Sequence, residues 1–255
     1  MKHILLAAYG FEISAAPIFA GLAGLTAFIC LRLFREKMGL SLDDLWDLVF
    51  TLVLGVVGGA VLFYAVFYNG GFARNFSVFT ESRRIPGGSF WGSFWAAMAF
   101  AYVFCRLKKK DFGPVADAVA LSSMAGLAVM RVGCFLHGCC YGAPTTLPWG
   151  VRFTDPSCSV AHSLLGIPLH PAQIYESLGS LAIFLSAYFV FYRGGKLKPG
   201  GVFVMTVVSY SILRFALDFM RGGDRGLSFM SPYLTTAQLI ALLSAAGSAI
   251  WYRRS

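Results

Sequence analysis

Between Arg131 and Gly142 the chain reads Arg-Val-Gly-Cys-Phe-Leu-His-Gly-Cys-Cys-Tyr-Gly, a guanidinium, an imidazole and three thiols in one short run. A thiol beside positive charge loses its proton more readily, and the thiolate is both nucleophile and soft-metal ligand. Histidine as a side-chain type has an unperturbed pKa close to neutral, so His137 is a candidate proton carrier. Arg131 is always charged and offers a planar fork of donors suited to a phosphate. Further along, Arg214, Asp218 and Arg221 differ by four and three residues, so they share one helix face. Two more polar stretches stand out, Gly87-Gly88-Ser89-Phe90-Trp91-Gly92 and His170-Pro171-Ala172-Gln173-Ile174-Tyr175-Glu176. Brought together, these groups would hold an anion beside a nucleophile and a base.

The elements that must position them are membrane helices. The 255 residues are 57% hydrophobic and 13% charged, with 24 Phe and 28 Gly, and the mean hydropathy is +0.68. That composition excludes an ordinary soluble core. Apolar runs at 14–34, 47–68, 90–107, 115–134, 172–192, 201–220 and 233–252 each have the roughly 20 residues that cross a bilayer as a helix. An all-α integral membrane domain of seven spans, occupying residues 1–255 with a loop over 135–171, is the expectation. No cleavable leader is evident before the first span. The formal charge of +9 would suggest nucleic acid on a soluble protein. Here the basic residues sit between apolar runs, where they set topology, and no nucleic-acid partner is expected.

Arg32, Arg35 and Lys37, then Arg106 and Lys108 to Lys110, then Arg193, Lys196 and Lys198, and finally Arg253 and Arg254 follow spans one, three, five and seven. The positive-inside rule puts those connections and the C-terminus in the cytoplasm and the N-terminus outside. Arg74, Arg83 and Arg84 weaken the bias without reversing it. All four polar stretches then reach the outer face at one depth.

Arginines inside a span are costly and by default mark a functional site. The plainer alternative is an Arg214–Asp218 pair that neutralises itself for structure. At the outer leaflet the abundant phosphates belong to phospholipids, so Arg131, Arg214 and Arg221 read as phosphate ligands. Of six cysteines, Cys30 and Cys105 read as small buried residues. Cys134, Cys139, Cys140 and Cys158 allow three readings: a metal site with His137, disulfides bracing the outer loop, or an activated thiol at Cys139 or Cys140. Adjacent cysteines in so short a run fit a tetrahedral metal poorly, and no metal ligand or cofactor is assigned. Trp91 and Trp95, with Phe90 and Phe94, read as interfacial anchors. His170-Pro171 can simply start a helix, with Gln173 and Tyr175 hydrogen-bonding inside the bundle.

In this order, Val61-Leu62-Phe63-Tyr64, Gly87-Gly88-Ser89-Phe90, Arg131-Val132-Gly133 with Phe135, Gly138 and Gly142, His170 through Glu176, and Arg214-Phe215 through Asp218-Phe219 and Arg221 resemble the prolipoprotein diacylglyceryl transferase family. The resemblance covers about 54–221. It implies seven spans in this orientation, and transfer of diacylglycerol from phosphatidylglycerol to the thiol of a secreted prolipoprotein, with glycerol phosphate released. The departures lie around the reacting carbon. Trp91 stands where the family has a histidine, and Cys134, His137 and Cys139 stand where it has Asn, Asn and Glu. Asp218 replaces Glu, and Phe19-Ala20-Gly21 stands where a first-span tyrosine is common.

The reading is therefore a multi-pass transferase of the bacterial inner membrane, working at its extracytoplasmic face on a phospholipid donor, with the acceptor a prolipoprotein cysteine or another thiol or nucleophile. Arg131, Arg214, His137, Cys139 and Cys140 are the candidate catalytic residues. Arg131, Arg214 and Arg221 would hold the phosphate, and Cys134, Gly88, His170, Gln173, Tyr175, Glu176 and Asp218 would support them. His137 is the candidate base, since the family's histidine is replaced. A thiol-redox enzyme on the same fold and a non-enzymatic phospholipid binder or transporter are the alternatives.

Overall fold

The computed structural model describes residues 4–8, 11–68, 72, 88–190, 194–195, 197–222 and 234–254, with backbone alone for 4–14. Gly87 and the basic residues Arg74, Arg83, Arg84, Arg193 and Lys196 lie outside the described residues. Among the described residues seven α-helices run in chain order: α1 Ala15–Phe34, α2 Leu42–Phe67, α3 Phe90–Lys108, α4 Phe112–His137, α5 Ala172–Phe189, α6 Gly201–Asp218 and α7 Thr236–Arg254. Two small antiparallel ribbons join them, β1 Ile4–Ala8 with β2 Phe11–Ser14, and β3 Val151–Arg152 with β4 Pro168–Leu169. The fold is all-helical, as expected, with the two short ribbons as additions to it. Alternation too short to stand out over apolar runs hides such ribbons in the sequence.

Helix ends follow local chemistry. The expectation of a second span from residue 47 starts too late because acidic residues open α2. Ser41 accepts from the Asp44 N–H at 3.0 Å while Asp44 accepts from the Ser41 N–H at 3.3 Å, a reciprocal cap. Likewise α4 starts at Phe112 and reaches His137, past the expected 115–134. Pro114 fits the first turn, where its missing N–H costs nothing, and Gly138 at φ 78° ends the helix.

Helices α1 to α4 and α6 are long and apolar enough to cross a membrane. Large apolar side chains face outward along them, including Leu25 and Leu33 of α1 and Phe50 and Val57 of α2. Such outward apolar faces are wetted by lipid, and the molecule is a multi-pass membrane protein. Helices α5 and α7 fall short in apolarity because they bury Gln173, Glu176 and Ser180, and Gln238, Ser244 and Ser248.

Helix α4 is the centre, packed on α1, α3, α5 and α6. Helices α2 and α3 pair through small residues. A side chain on Gly59 would strike the Gly92 carbonyl, and one on Gly92 would strike Gly59 and Phe63. At one end of the bundle, Lys108 reaches Asp47 at 2.6 Å and Lys110 reaches Asp44 at 3.2 Å and the Gly39 carbonyl at 2.9 Å. Buried Asp117 of α4 accepts from the Gly200 and Phe203 N–H groups at 2.9 and 2.7 Å, satisfying the start of α6. The basic connections therefore gather at this end. The site residues occupy the other.

Candidate functional site

At the opposite end a cavity of about 300 Å³ opens between α2, α3, α4 and α6. Its wall includes Tyr64, Gly88, Trp91, Arg131, Cys140, Tyr210, Arg214 and Arg221. The three arginines expected on one level are therefore brought to one cavity. Their charges are arranged around two carboxylates. Glu176, 2% exposed, accepts from Arg131 Nη2 at 3.0 Å on one oxygen, and Arg131 Nε stands in ion-pair contact at 3.0 Å from the other. Arg221 stands 3.6 Å from the same carboxylate, and the Tyr210 hydroxyl donates to it at 2.8 Å. Arg214 pairs with Asp218 at 3.0 Å, and Thr235 Oγ1 donates to the other Asp218 oxygen at 2.5 Å. Three guanidinium groups and two carboxylates thus meet at the cavity.

The cysteine run is folded by two left-handed residues, Gly138 at φ 78° and Cys140 at φ 58°. For Cys140, a residue with a Cβ, this conformation costs about 1–2 kcal/mol, so the surroundings must impose it. They do so through a backbone strap. Gly142 N–H donates to the His170 carbonyl, Ala143 N–H to Met220, and Gly222 N–H to Tyr141, at 3.1, 2.8 and 3.0 Å. A side chain on Gly142 would strike the His170 carbonyl. Beyond the strap, Phe153, Val160 and Leu169 form a small core with Phe135 and Tyr141, so the 135–171 loop is an ordered cap.

The strap brings the sulfur atoms of Cys134, Cys139 and Cys140 within 4.8 Å of one another. Arg131 Nη1 lies 3.9 Å from Cys134 Sγ. All six cysteines are free thiols, and Cys158 packs against Gly138. Hydrogen bonds from the Cys134 and Cys139 thiols, and then the Arg131 and Arg221 charges, pull the Cys140 thiol well below its usual value against the effect of burial. The same thiol neighbours, with burial, push Cys139 up. Cys140 is the one of the three on the cavity wall.

Other expected residues have different places. His137 Nε2 lies 2.9 Å from Ser159 Oγ, and the residue is not on the cavity wall. His170 serves through its backbone, its N–H donating to Ala143 at 3.0 Å. Gln173 Nε2 donates to the Cys139 carbonyl at 2.8 Å, and Trp149 Nε1 to the Tyr175 hydroxyl at 2.7 Å. Gly88 lies on the cavity wall. The reading of Trp91 and Phe94 as interfacial anchors is overturned, since they are 4% and 5% exposed and pack among Phe90, Tyr210 and Phe203. Trp91 Nε1 is buried and finds no hydrogen-bond partner among the described residues. Trp95 donates to Ser244 of α7 at 2.9 Å. Tyr210 escaped the sequence reading, although its spacing of four from Arg214 puts both on one face. Cys30 and Cys105 are buried as expected.

Comparison with known proteins bears on this arrangement. The profile described as "Prolipoprotein diacylglyceryl transferase" matches residues 3–253. The phosphatidylglycerol–prolipoprotein diacylglyceryl transferase of Clostridium tetani is 32% identical over 96% of this chain and 94% of its own length. That of Solidesulfovibrio magneticus is 37% identical over 83% of this chain and 77% of its own, and that of Cupriavidus pinatubonensis 30% over 91% and 85%. A match along nearly the whole length, spanning every element that builds the cavity, leaves one assignment: the chain belongs to the prolipoprotein diacylglyceryl transferase family.

Proposed function

We propose that this protein transfers a diacylglyceryl group from phosphatidylglycerol to the thiol of a prolipoprotein, at the extracytoplasmic face of the bacterial inner membrane. The observation that carries the reading is a cavity walled by three guanidinium groups, those of Arg131, Arg214 and Arg221. Such groups suit the single negative charge of a phosphodiester lipid. The arginines would hold the phosphate and stabilise it as it leaves, a role most effective in a site poor in water. Trp91 offers an indole N–H to a further lipid oxygen. The donor and the acceptor class agree with what the relatives are named for.

The proposal includes the topology of seven spans in one domain, N-terminus outside. It is supported by the opposition of the two bundle ends, basic connections at one and the cavity at the other. The deciding experiment mixes purified protein, phosphatidylglycerol with a labelled glycerol backbone, and a peptide carrying one cysteine. The expected product is the peptide with label attached through sulfur, together with free glycerol phosphate. A protein that retains phosphatidylglycerol but forms no such product would instead be a lipid binder.

A further inference from the structure

Transfer to a thiol needs the thiolate, and the cavity wall carries Trp91, whose indole nitrogen donates and cannot take up a proton, and, among the described residues, no histidine. His137 is off the cavity wall. The chemistry therefore lacks an evident base, while three buried or half-buried thiols stand beside the cavity with no role assigned.

Their geometry suits an ion. A tetrahedral zinc–thiolate site, with Zn–S of about 2.3 Å, sets its sulfurs about 3.8 Å apart. The sulfurs of Cys134, Cys139 and Cys140 already lie within 4.8 Å of one another, so side-chain rotation of about 1 Å closes the set. The short run that looked unsuited to a tetrahedron becomes suitable because Gly138 and Cys140 both turn through left-handed backbone. Three thiolates around a divalent ion carry one net negative charge, and the Arg131 guanidinium lies 3.9 Å from Cys134 Sγ. A disulfide would use two of the three sulfurs and leave the third idle. An ion uses all three.

We infer that Cys134, Cys139 and Cys140 bind a thiophilic divalent ion of the zinc class, and that its fourth position opens to the cavity and takes the acceptor thiol. The opening is on the Cys140 side, since Cys140 shares the wall with Arg131, Arg214 and Arg221. This inference rests on the transferase reading above. On coordination the acceptor S–H gives its proton to solvent water, because a metal-bound thiol is deprotonated. The bound sulfur then attacks the glycerol carbon that carries the phosphate ester. The new S–C bond forms as the C–O bond breaks, and the electron pair departs with glycerol phosphate toward the arginines. No oxidation or reduction occurs.

The test uses the full chain, reduced, in phosphatidylcholine nanodiscs, titrated with Zn²⁺ or Co²⁺. One ion per chain is expected, with a sulfur-to-cobalt charge-transfer band. C134S, C139S and C140S should each lose that band, and C158S should keep it. Melting curves taken in chelator show whether each variant is folded. A one-cysteine peptide should shift the cobalt ligand-field spectrum, and its serine counterpart should not. Absence of the band in reduced protein, or its survival in folded C139S and C140S, overturns the site. A band that the peptide thiol does not move overturns the open fourth position. Full transfer activity in chelator overturns the inference and leaves the transferase intact. A peptide-induced shift without transfer supports the metal site and removes the transferase reading instead.

Discussion

Replacing Glu176 by Gln keeps the side chain's shape and removes the one carboxylate shared by Arg131, Arg221 and Tyr210. The cavity then loses one negative charge, and Arg131 loses the carboxylate it pairs with. Breaking a buried pair in this way costs about 3–5 kcal/mol. At about 2–4 °C per kcal/mol for a chain of this size, melting should fall by roughly 6–20 °C. The assay is thermal unfolding in nanodiscs of either phosphatidylcholine or phosphatidylglycerol. The anionic headgroup supplies part of the missing charge, so E176Q should recover stability in phosphatidylglycerol by a larger margin than the parent protein does. Equal recovery in the zwitterionic lipid would show that the arginines do not read headgroup charge. An unchanged melting temperature in both would show that Glu176 is not what holds them, and the account of the site would be refuted at its base.

R214A and R221A should each weaken phosphatidylglycerol binding about tenfold or more, since a charge-assisted hydrogen bond contributes about 1.5–3 kcal/mol. Lysine at either position should restore it only partly, because the fork is lost; binding to lipid vesicles measures both. Reporter fusions after Lys110 and Lys198 should read cytoplasmic and one near Pro156 extracytoplasmic, and a cytoplasmic signal at Pro156 would reverse the proposed orientation. Because the same neighbours lower the Cys140 pKa and raise that of Cys139, Cys140 in metal-free protein should alkylate faster than Cys139 at neutral pH. Mass spectrometry of the alkylated peptides reads this directly, and a faster Cys139 would contradict it.

Much of the fold was legible because lipid imposes a simple rule, and runs of about 20 apolar residues gave helices such as Ala15–Phe34 and Gly201–Asp218 nearly to the residue. The misplaced ends arise where polar residues belong to the helix, as Asp43 and Asp44 do at the start of α2. The arginine cluster was legible from spacing and the cost of charge in a membrane. The Arg214–Asp218 pair was legible from its spacing, but the partner of Arg131 and Arg221 was not. Glu176 and Tyr210 come from different helices, and nothing in a linear pattern ties them to Arg131. Trp91 was misread because aromatic residues near a helix start serve equally as lipid anchors or as cavity walls, and only packing decides. The convergence of three sulfurs depends on the backbone angle of Cys140, a residue whose type gives no hint of a left-handed turn.

Buried Asp117 has a meaning beyond helix capping. By accepting from Gly200 and Phe203 it bolts α6 to α4 at the end of the bundle remote from the cavity. From that bolt, Arg131 stands about 21 Å along α4 and Arg214 about 16 Å along α6, at 1.5 Å per residue. A helix is stiff along its axis, so one fixed datum at the far end sets the height of both guanidinium groups against each other. The molecule thus gauges the level of both guanidinium groups from the opposite end of the bundle, and a load on either arginine meets the axial rigidity of both helices.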